Sequence, residues 1–192
     1  MRNAAKESPT MSIRIPPVSE STAPEGAQPI LAQLKQALGM VPNVYATIAH
    51  SPGALASALA WDDAVSRGGL SKREIEQLNL HISELNGCGY CVSAHSMLGG
   101  RAGLSADEVE RARSGLGATE RENALLAFAR RVVRTGGARA RTDLERLREA
   151  GVKDAEVIDA LAVVALNAFR NAVNIVAETE IDFPKTSRLP SV

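Results

Sequence analysis

From Pro29 onward, apolar positions return every three to four residues and almost nothing alternates with a period of two. The β-branched residues gather chiefly between Val157 and Val176, inside a helical pattern, so a sheet core is not expected. The chain reads as all-α, with eight or nine helices at about 28–38, 43–49, 52–67, 71–85, 88–101, 105–114, 119–134, 142–149 and 154–179. Their starts are legible. Leu70-Ser71-Lys72-Arg73-Glu74-Ile75 supplies a capping serine, a glutamate three residues later and an apolar staple, and Leu104-Ser105-Ala106-Asp107-Glu108-Val109 repeats the device. Thr142 with Glu145 reads as a third box. Gly39, Gly68, Gly103, Gly115, Gly136 and Gly151 fall where helices should end, as left-handed caps.

An echo at a shift of 82 residues sets Glu74-Ile75 against Glu156-Val157 and Leu78 against Ala160, which suggests two fused helical units. In that register Cys88, Cys91, His95 and Glu76 meet no reactive counterpart. Residues 1–26 hold Pro9, Pro16, Pro17 and Pro24 among Ser and Thr, and read as an extended arm, either disordered or strapped across a neighbouring subunit. Residues 27–184 form a single helical domain and 185–192 a tail.

At 192 residues the chain can bury a core without staples. Twenty-two basic and twenty-two acidic residues balance, so a nucleic-acid partner is not expected. The longest apolar run, Ala160 to Leu166, is far shorter than the roughly 20 residues of a membrane span. No signal-peptide core follows Met1-Arg2-Asn3, so a cytoplasmic location and no membrane association are expected.

The two cysteines stand three residues apart, and in a reducing compartment such a pair reads as redox chemistry or metal ligation. Asn86-Gly87 breaks the preceding helix and places Cys88 at the start of the next, where unpaired backbone N–H groups favour a thiolate. Around that helix Cys91 lies about 60° from Cys88, His95 about 40° back from Cys91 towards Cys88, and Cys88 and His95 about 20° apart, so all three share a face. Thiols one turn apart, with Cα atoms roughly 5 Å apart, can close a disulfide with little backbone movement. Glu76, in the preceding helix, borders the apolar side formed by Ile75, Leu78 and Ile82, and a hairpin would let it orient His95.

Tyr90, between the cysteines, is a candidate for lining the substrate mouth or for packing alone. His81 lies on a different face from Glu76, and His50 reads as a helix-end residue. Asn167, Asn171 and Asn174 form a polar stripe on an apolar helix, expected to be spent on interhelical or intersubunit hydrogen bonds, with Arg170 nearby as an ion-pair partner. A zinc site of Cys88, Cys91 and His95 with Glu76 as fourth ligand is the main chemical rival. Val92 stands where haem attachment would require histidine.

The run from Glu76 through Ser83-Glu84-Leu85-Asn86-Gly87-Cys88-Gly89-Tyr90-Cys91 to Ala94-His95 resembles the alkyl hydroperoxidase D-type (AhpD-like) family of the carboxymuconolactone decarboxylase superfamily. Ala124-Leu125-Leu126-Ala127-Phe128-Ala129, Ala150-Gly151-Val152, Ala162 to Asn167 and Ile181-Asp182-Phe183-Pro184 resemble its peroxidase-related branch, so the likeness covers about residues 30–184. The resemblance implies an AhpD-like helical fold assembled as a trimer or a dimer of trimers. It implies that Cys91 attacks a hydroperoxide and becomes a sulfenic acid, that Cys88 resolves it as a disulfide, and that Glu76 and His95 relay protons. No tightly bound cofactor is implied; an external dithiol, a lipoylated or thioredoxin-like protein, would restore the enzyme. The best-understood peroxidases of this type carry histidine where Tyr90 stands, which implies slower turnover or another substrate here. Helix position favours Cys88 as the more acidic thiol, whereas the resemblance assigns attack to Cys91. Protein disulfide exchange or redox sensing with the same pair is the alternative, a decarboxylase-like lyase is less favoured, and a non-enzymatic assembly module stands as the control reading.

Overall fold

The computed structural model describes residues 14–187 and Leu189. Among these, nine α-helices and one 3-10 turn carry the fold: α1 Gln28–Leu38, α2 Asn43–Ile48, α3 Pro52–Ser66, α4 Lys72–Leu85, α5 Gly89–Arg101, α6 Ala106–Arg113, α7 Glu120–Thr135, the turn Ala140–Asp143, α8 Leu144–Glu149 and α9 Asp154–Val176. The all-α expectation holds, and no strand is present among the described residues. Helix α4 packs against α5, α6, α7 and α9 and is the central element.

Capping explains the starts. Ser71 and Ser105 form the expected boxes with Glu74 and Glu108. The third box is Thr119 with Glu122, not Thr142 with Glu145. Thr142 lies inside the 3-10 turn, where its hydroxyl donates to the Arg139 carbonyl. Gly39, Gly103, Gly115, Gly136 and Gly151 are left-handed as expected, but Gly68 is not. A Cβ on Gly68 would stand 2.7 Å from a carboxylate oxygen of Asp159, which also accepts from the Gly69 N–H at 2.8 Å. Gly68 is there for close approach rather than handedness.

Two similar units are present, but their register is 48 residues rather than 82. Arg73 bonds Glu108, Glu122 and the Gly103 carbonyl, while Arg121 bonds Glu156, Glu74 and the Gly151 carbonyl. Every partner of Arg121 except Glu74 lies 48 residues beyond its counterpart, and the Glu122 and Glu74 bonds are exchanged across a pseudo-twofold axis. The turns into α6 and α9 repeat too, Leu104 N–H to Gly99 and Val152 N–H to Leu147, both 2.9 Å. The likeness at 82 residues arises because Glu74 and Glu156 are both helix-start glutamates that meet at Arg121.

The main core joins α4, α7 and α9 through Leu78, Ile82, Leu125, Leu126, Phe128, Val163 and Val164. A second apolar cluster packs the N-terminal segment over the cysteines. Of the arm expected over residues 1–26, residues 1–13 lie outside the described residues. The remainder packs on its own chain: the Val18 N–H donates to the Ala46 carbonyl at 3.2 Å, and Ala23 is buried. In the C-terminal tail, residues 188 and 190–192 lie outside the described set. Helix α9 is long and apolar enough to cross a membrane by length and composition. Here it packs against α2, α3, α4, α5 and α7.

Candidate active site

Asn86 closes α4, and Gly87, at φ 70°, turns the chain back in the left-handed region that a glycine tolerates. The Cys88 N–H donates to the Ser83 carbonyl at 3.0 Å, which fastens the turn to the end of α4. Cys88 is thus the N-cap of α5 rather than its first residue, and its Sγ accepts the Cys91 N–H at 3.2 Å. Cys88 and Cys91 are joined as a disulfide with their Cα atoms 5.3 Å apart, so the oxidised state is the one described. Both are buried, at 1% and 3% exposure.

The α4–α5 hairpin brings Glu76 to His95: Nδ1 lies 2.8 Å from Oε2, with side chains 11% and 16% exposed. A carboxylate only accepts, so Nδ1 carries the hydrogen of this contact and Nε2 is the ring nitrogen turned to other partners. Glu76, Cys88, Cys91 and His95 are therefore gathered on two adjacent helices, as the sequence suggests. Among the described residues, no group of three or more His, Cys, Asp or Glu side chains is placed to hold a metal ion.

Tyr90 is buried; its hydroxyl accepts the Val44 N–H at 3.2 Å, and its ring meets Phe183 edge-on at 5.5 Å. Burial pushes its hydroxyl pKa far up, and nearby Asp182 adds to this. It fastens the start of α2 and the C-terminal segment over the disulfide. Val18, Ala27, Leu31, Ile48 and Leu55 complete that apolar cover.

Outside the expected set, Asn174 reaches the cysteine pair, and an Arg170–Asp62–Tyr45 cluster lies nearby. Asn174 donates from Nδ2 to Cys91 Sγ at 3.3 Å. Arg170 pairs with Asp62 at 3.1 Å, donates to the Tyr45 hydroxyl at 3.3 Å and lies 5.8 Å from that ring's centroid. Burial is the main cause raising the Tyr45 hydroxyl pKa; Arg170 opposes it, while Asp62 and Glu76 add to it. The signal for Asn174 was the polar stripe on α9, whose other members, Asn167 and Asn171, are indeed spent on interhelical bonds. His81 bonds neither Glu76 nor the cysteines: its Nδ1 lies 3.1 Å from the Arg113 carbonyl, it lines a cavity that also reaches Gly87 and Gly89, and burial lowers its pKa. His50 bonds the Pro16 carbonyl at 2.9 Å. Two cavities of about 650 and 620 Å³ lie on the α5–α6 side; the second reaches Gly87 and Gly89 on either side of Cys88.

A model of the carboxymuconolactone decarboxylase family matches residues 48–135, which span the end of α2 to the end of α7. The alkyl hydroperoxide reductase AhpD of Gluconacetobacter diazotrophicus is 36% identical over 64 residues, and the match spans a third of this chain and a third of that protein. Among solved structures, an alkylhydroperoxidase AhpD core protein of Ralstonia eutropha JMP134, described as peroxidase-related, is similar at 28% identity and a TM-score of 0.78, over 90% of this chain and 94% of that one. A peroxidase-related protein of Silicibacter sp. TM1040 shares the fold at 23% identity and a TM-score of 0.76, over 93% and 95%. The debrominase Bmp8 shares it at 22% and 0.73, over 88% and 91%.

Proposed function

Because the chain belongs to the AhpD-like, peroxidase-related branch of the carboxymuconolactone decarboxylase superfamily, with a redox-capable cysteine pair, we propose that its thiol oxidoreductase activity is reduction of an organic hydroperoxide or hydrogen peroxide. The observation that carries this reading is the Glu76–His95 pair, 2.8 Å apart, presented by the same hairpin that holds the buried dithiol.

In the reduced protein, His95 Nε2 takes the Cys91 proton and Glu76 stabilises the resulting imidazolium. The thiolate attacks the terminal oxygen of the hydroperoxide; an S–O bond forms, the O–O bond breaks, and the alkoxide leaves as an alcohol with the proton from His95. Cys88 then attacks the sulfenic sulfur, the S–S bond forms, and the hydroxyl leaves as water with the Cys88 proton. Two thiols are oxidised and one peroxide is reduced. The disulfide that closes this sequence is the state described.

An external dithiol restores the pair, and burial of both sulfurs favours one borne on a slender arm, as on a lipoylated carrier, over a broad protein face. The cavity beside Gly87 and Gly89 is the approach we assign to it. We also propose a homo-oligomer, a trimer or a dimer of trimers, in the cytoplasm. Its contact would be the exposed apolar side of α9 (Ile158, Phe169, Ile175 and Val176) with Trp61 of α3. The test mixes prereduced protein with a small excess of cumene hydroperoxide and follows peroxide and free thiols together. One peroxide and two thiols should disappear in the parent, Cys91→Ser should be inert, and Cys88→Ser should stop at a sulfenate. The opposite mutant pattern reverses the cysteine roles. Loss no faster than for a simple thiol refutes the peroxidase and leaves disulfide exchange.

A further inference from the structure

The buried amides of α9 are unequal in a way that singles out one of them. Asn167 donates to Asn79 and accepts from Asn171 and from the Ser83 hydroxyl; Asn171 donates to Asn167 and Ser83 and accepts from Asn86. Both are satisfied at each end, and together they fix the rotation of α9 against α4. Asn174, one turn further on and 5% exposed, is different. Its Nδ2 reaches only Cys91 Sγ, at 3.3 Å, and its Oδ1 is buried with no hydrogen-bond partner among the described residues.

A buried acceptor without a donor is a standing cost, and of the unpartnered buried atoms only Asn174 Oδ1 belongs to a side chain bonded to a cysteine sulfur. Nor is the reversed amide better, since it would set oxygen lone pairs against sulfur lone pairs and leave two N–H groups unpaired. What the arrangement lacks in the disulfide state, the reduced and sulfenic states supply. A disulfide sulfur is a weak acceptor, whereas a thiolate is a strong one. A hydroperoxide, and then a sulfenic acid, brings an O–H donor to the same sulfur.

We propose that Asn174 is a catalytic residue: its N–H holds the Cys91 sulfur as thiolate, and its carbonyl holds the hydroxyl that a hydroperoxide delivers to that sulfur. This rests on the peroxidase reading above. The O–H bond of the peroxide is kept throughout: the hydroxyl hydrogen points to Oδ1 while the S–O bond forms and the O–O bond breaks, and it remains there on the sulfenic acid until Cys88 displaces the hydroxyl. Asn174 also marks the two cysteines as different. Cys88 already has its donor in the Cys91 N–H, and Cys91 has Asn174.

The test uses the full chain carrying Cys88→Ser, so that Cys91 is the sole thiol. It measures the pH dependence of iodoacetamide alkylation and the rate with cumene hydroperoxide, for Asn174 and for Asn174→Ala and Asn174→Asp. Asn174→Ala should move the alkylation profile up by roughly one pH unit and slow the peroxide reaction about 10-fold. Asn174→Asp keeps the shape and the acceptors but adds a like charge, so it should be slower still; it also keeps the test alive if the alanine variant folds poorly. Cys88, measured in the Cys91→Ser chain, should change less than about twofold on Asn174→Ala, since its donor is a backbone N–H. Asn174 variants that match a peroxide-reactive parent, or an aspartate that restores the rate, overturn this proposal alone. A parent that alkylates normally yet ignores peroxide overturns the peroxidase reading, and the carbonyl role with it.

Discussion

Replacing Glu76 with glutamine removes a charge and almost nothing else. The amide oxygen of Glu76→Gln can still accept from His95 Nδ1, so the ring keeps its orientation across the 2.8 Å contact. On the proposed relay, what is lost is the attraction between the carboxylate and the imidazolium that forms as the thiol proton is taken. Two unit charges about 4 Å apart interact by about 4 kcal/mol at an effective dielectric near 20. The side chains are 11% and 16% exposed, so solvent weakens this moderately. The neutral bond that glutamine restores returns about 1 kcal/mol. A net loss of about 2–3 kcal/mol corresponds to a rate roughly 30- to 150-fold lower. The assay is single-turnover stopped flow of prereduced protein with excess hydroperoxide at neutral pH, beside a urea titration showing that stability changes by less than about 1 kcal/mol. A folded Glu76→Gln protein within threefold of the parent would refute the relay, and His95 would then act without a carboxylate partner.

Three further outcomes follow from the geometry. Arg121→Met removes the cation between Glu74 and Glu156 and should cost about 2–4 kcal/mol in urea, with Arg73→Met similar and the pair non-additive because the two arginines exchange glutamates across the pseudo-twofold axis. On acidification, Arg73 and two bonds from Ser105 hold the Glu108 pKa down at about 2, the Ala118 N–H and Arg73 keep that of Glu122 low against burial, and Arg121 lowers that of Glu156. Their contribution is fully present above the unfolded value near 4.5 and is lost as pH falls towards 2, so urea midpoints should hold between pH 7 and 5.5 and fall below about 4. Tyr90→Phe leaves the Val44 N–H without its acceptor and should cost about 1–2 kcal/mol, while the peroxide rate in single turnover changes less than threefold. A larger rate loss would give Tyr90 a place at the reacting sulfur.

Most of the helices and the heart of the site were legible because their causes are local. A serine followed by glutamate at N3 marks a start wherever it occurs, and Asn86-Gly87 can only end a helix. Cys88, Cys91 and His95 share a face by periodicity alone. The misreadings came where a distant group decides. Gly68 looks like a left-handed cap until Asp159 is brought against it. Thr142 and Glu145 have box spacing, but Gly136 and Gly137, both at positive φ, turn the chain first, and the residues after them close into a 3-10 turn. Apolar positions recur in every amphipathic helix, so they suggest a register of 82 residues that is not the structural one. The repeat's real signature lies in charged partners such as Arg73 and Arg121, whose equivalence shows only once they are seen exchanging glutamates. Asn174 was hidden for the same reason: spacing placed it in a stripe with Asn167 and Asn171, and only the packing of α9 on α5 separates a bond to sulfur from a bond to another amide.

That repeat explains why the chemistry stands on one side only. In the 48-residue register Glu76 corresponds to Ala124, Cys88 to Gly136, Cys91 to Arg139 and His95 to Asp143. The counterpart of α5 is broken into a 3-10 turn and the short α8, and Asp143 is buried and paired with Arg131. A helix broken at that place offers no N-cap site for a thiol. The counterpart of α6 differs the other way: α6 stops at Arg113, whereas α9 runs past the equivalent Leu161 to Val176. The added length carries Asn167, Arg170, Asn171 and Asn174 back over the first unit. Three of them bond to α4, α5 or the turn between them, and Arg170 closes on Tyr45 and Asp62 beside Glu76. The shared scaffold thus sets the hairpin that joins Glu76 to His95, and the departure from symmetry in α9 brings the fifth polar group to the sulfur.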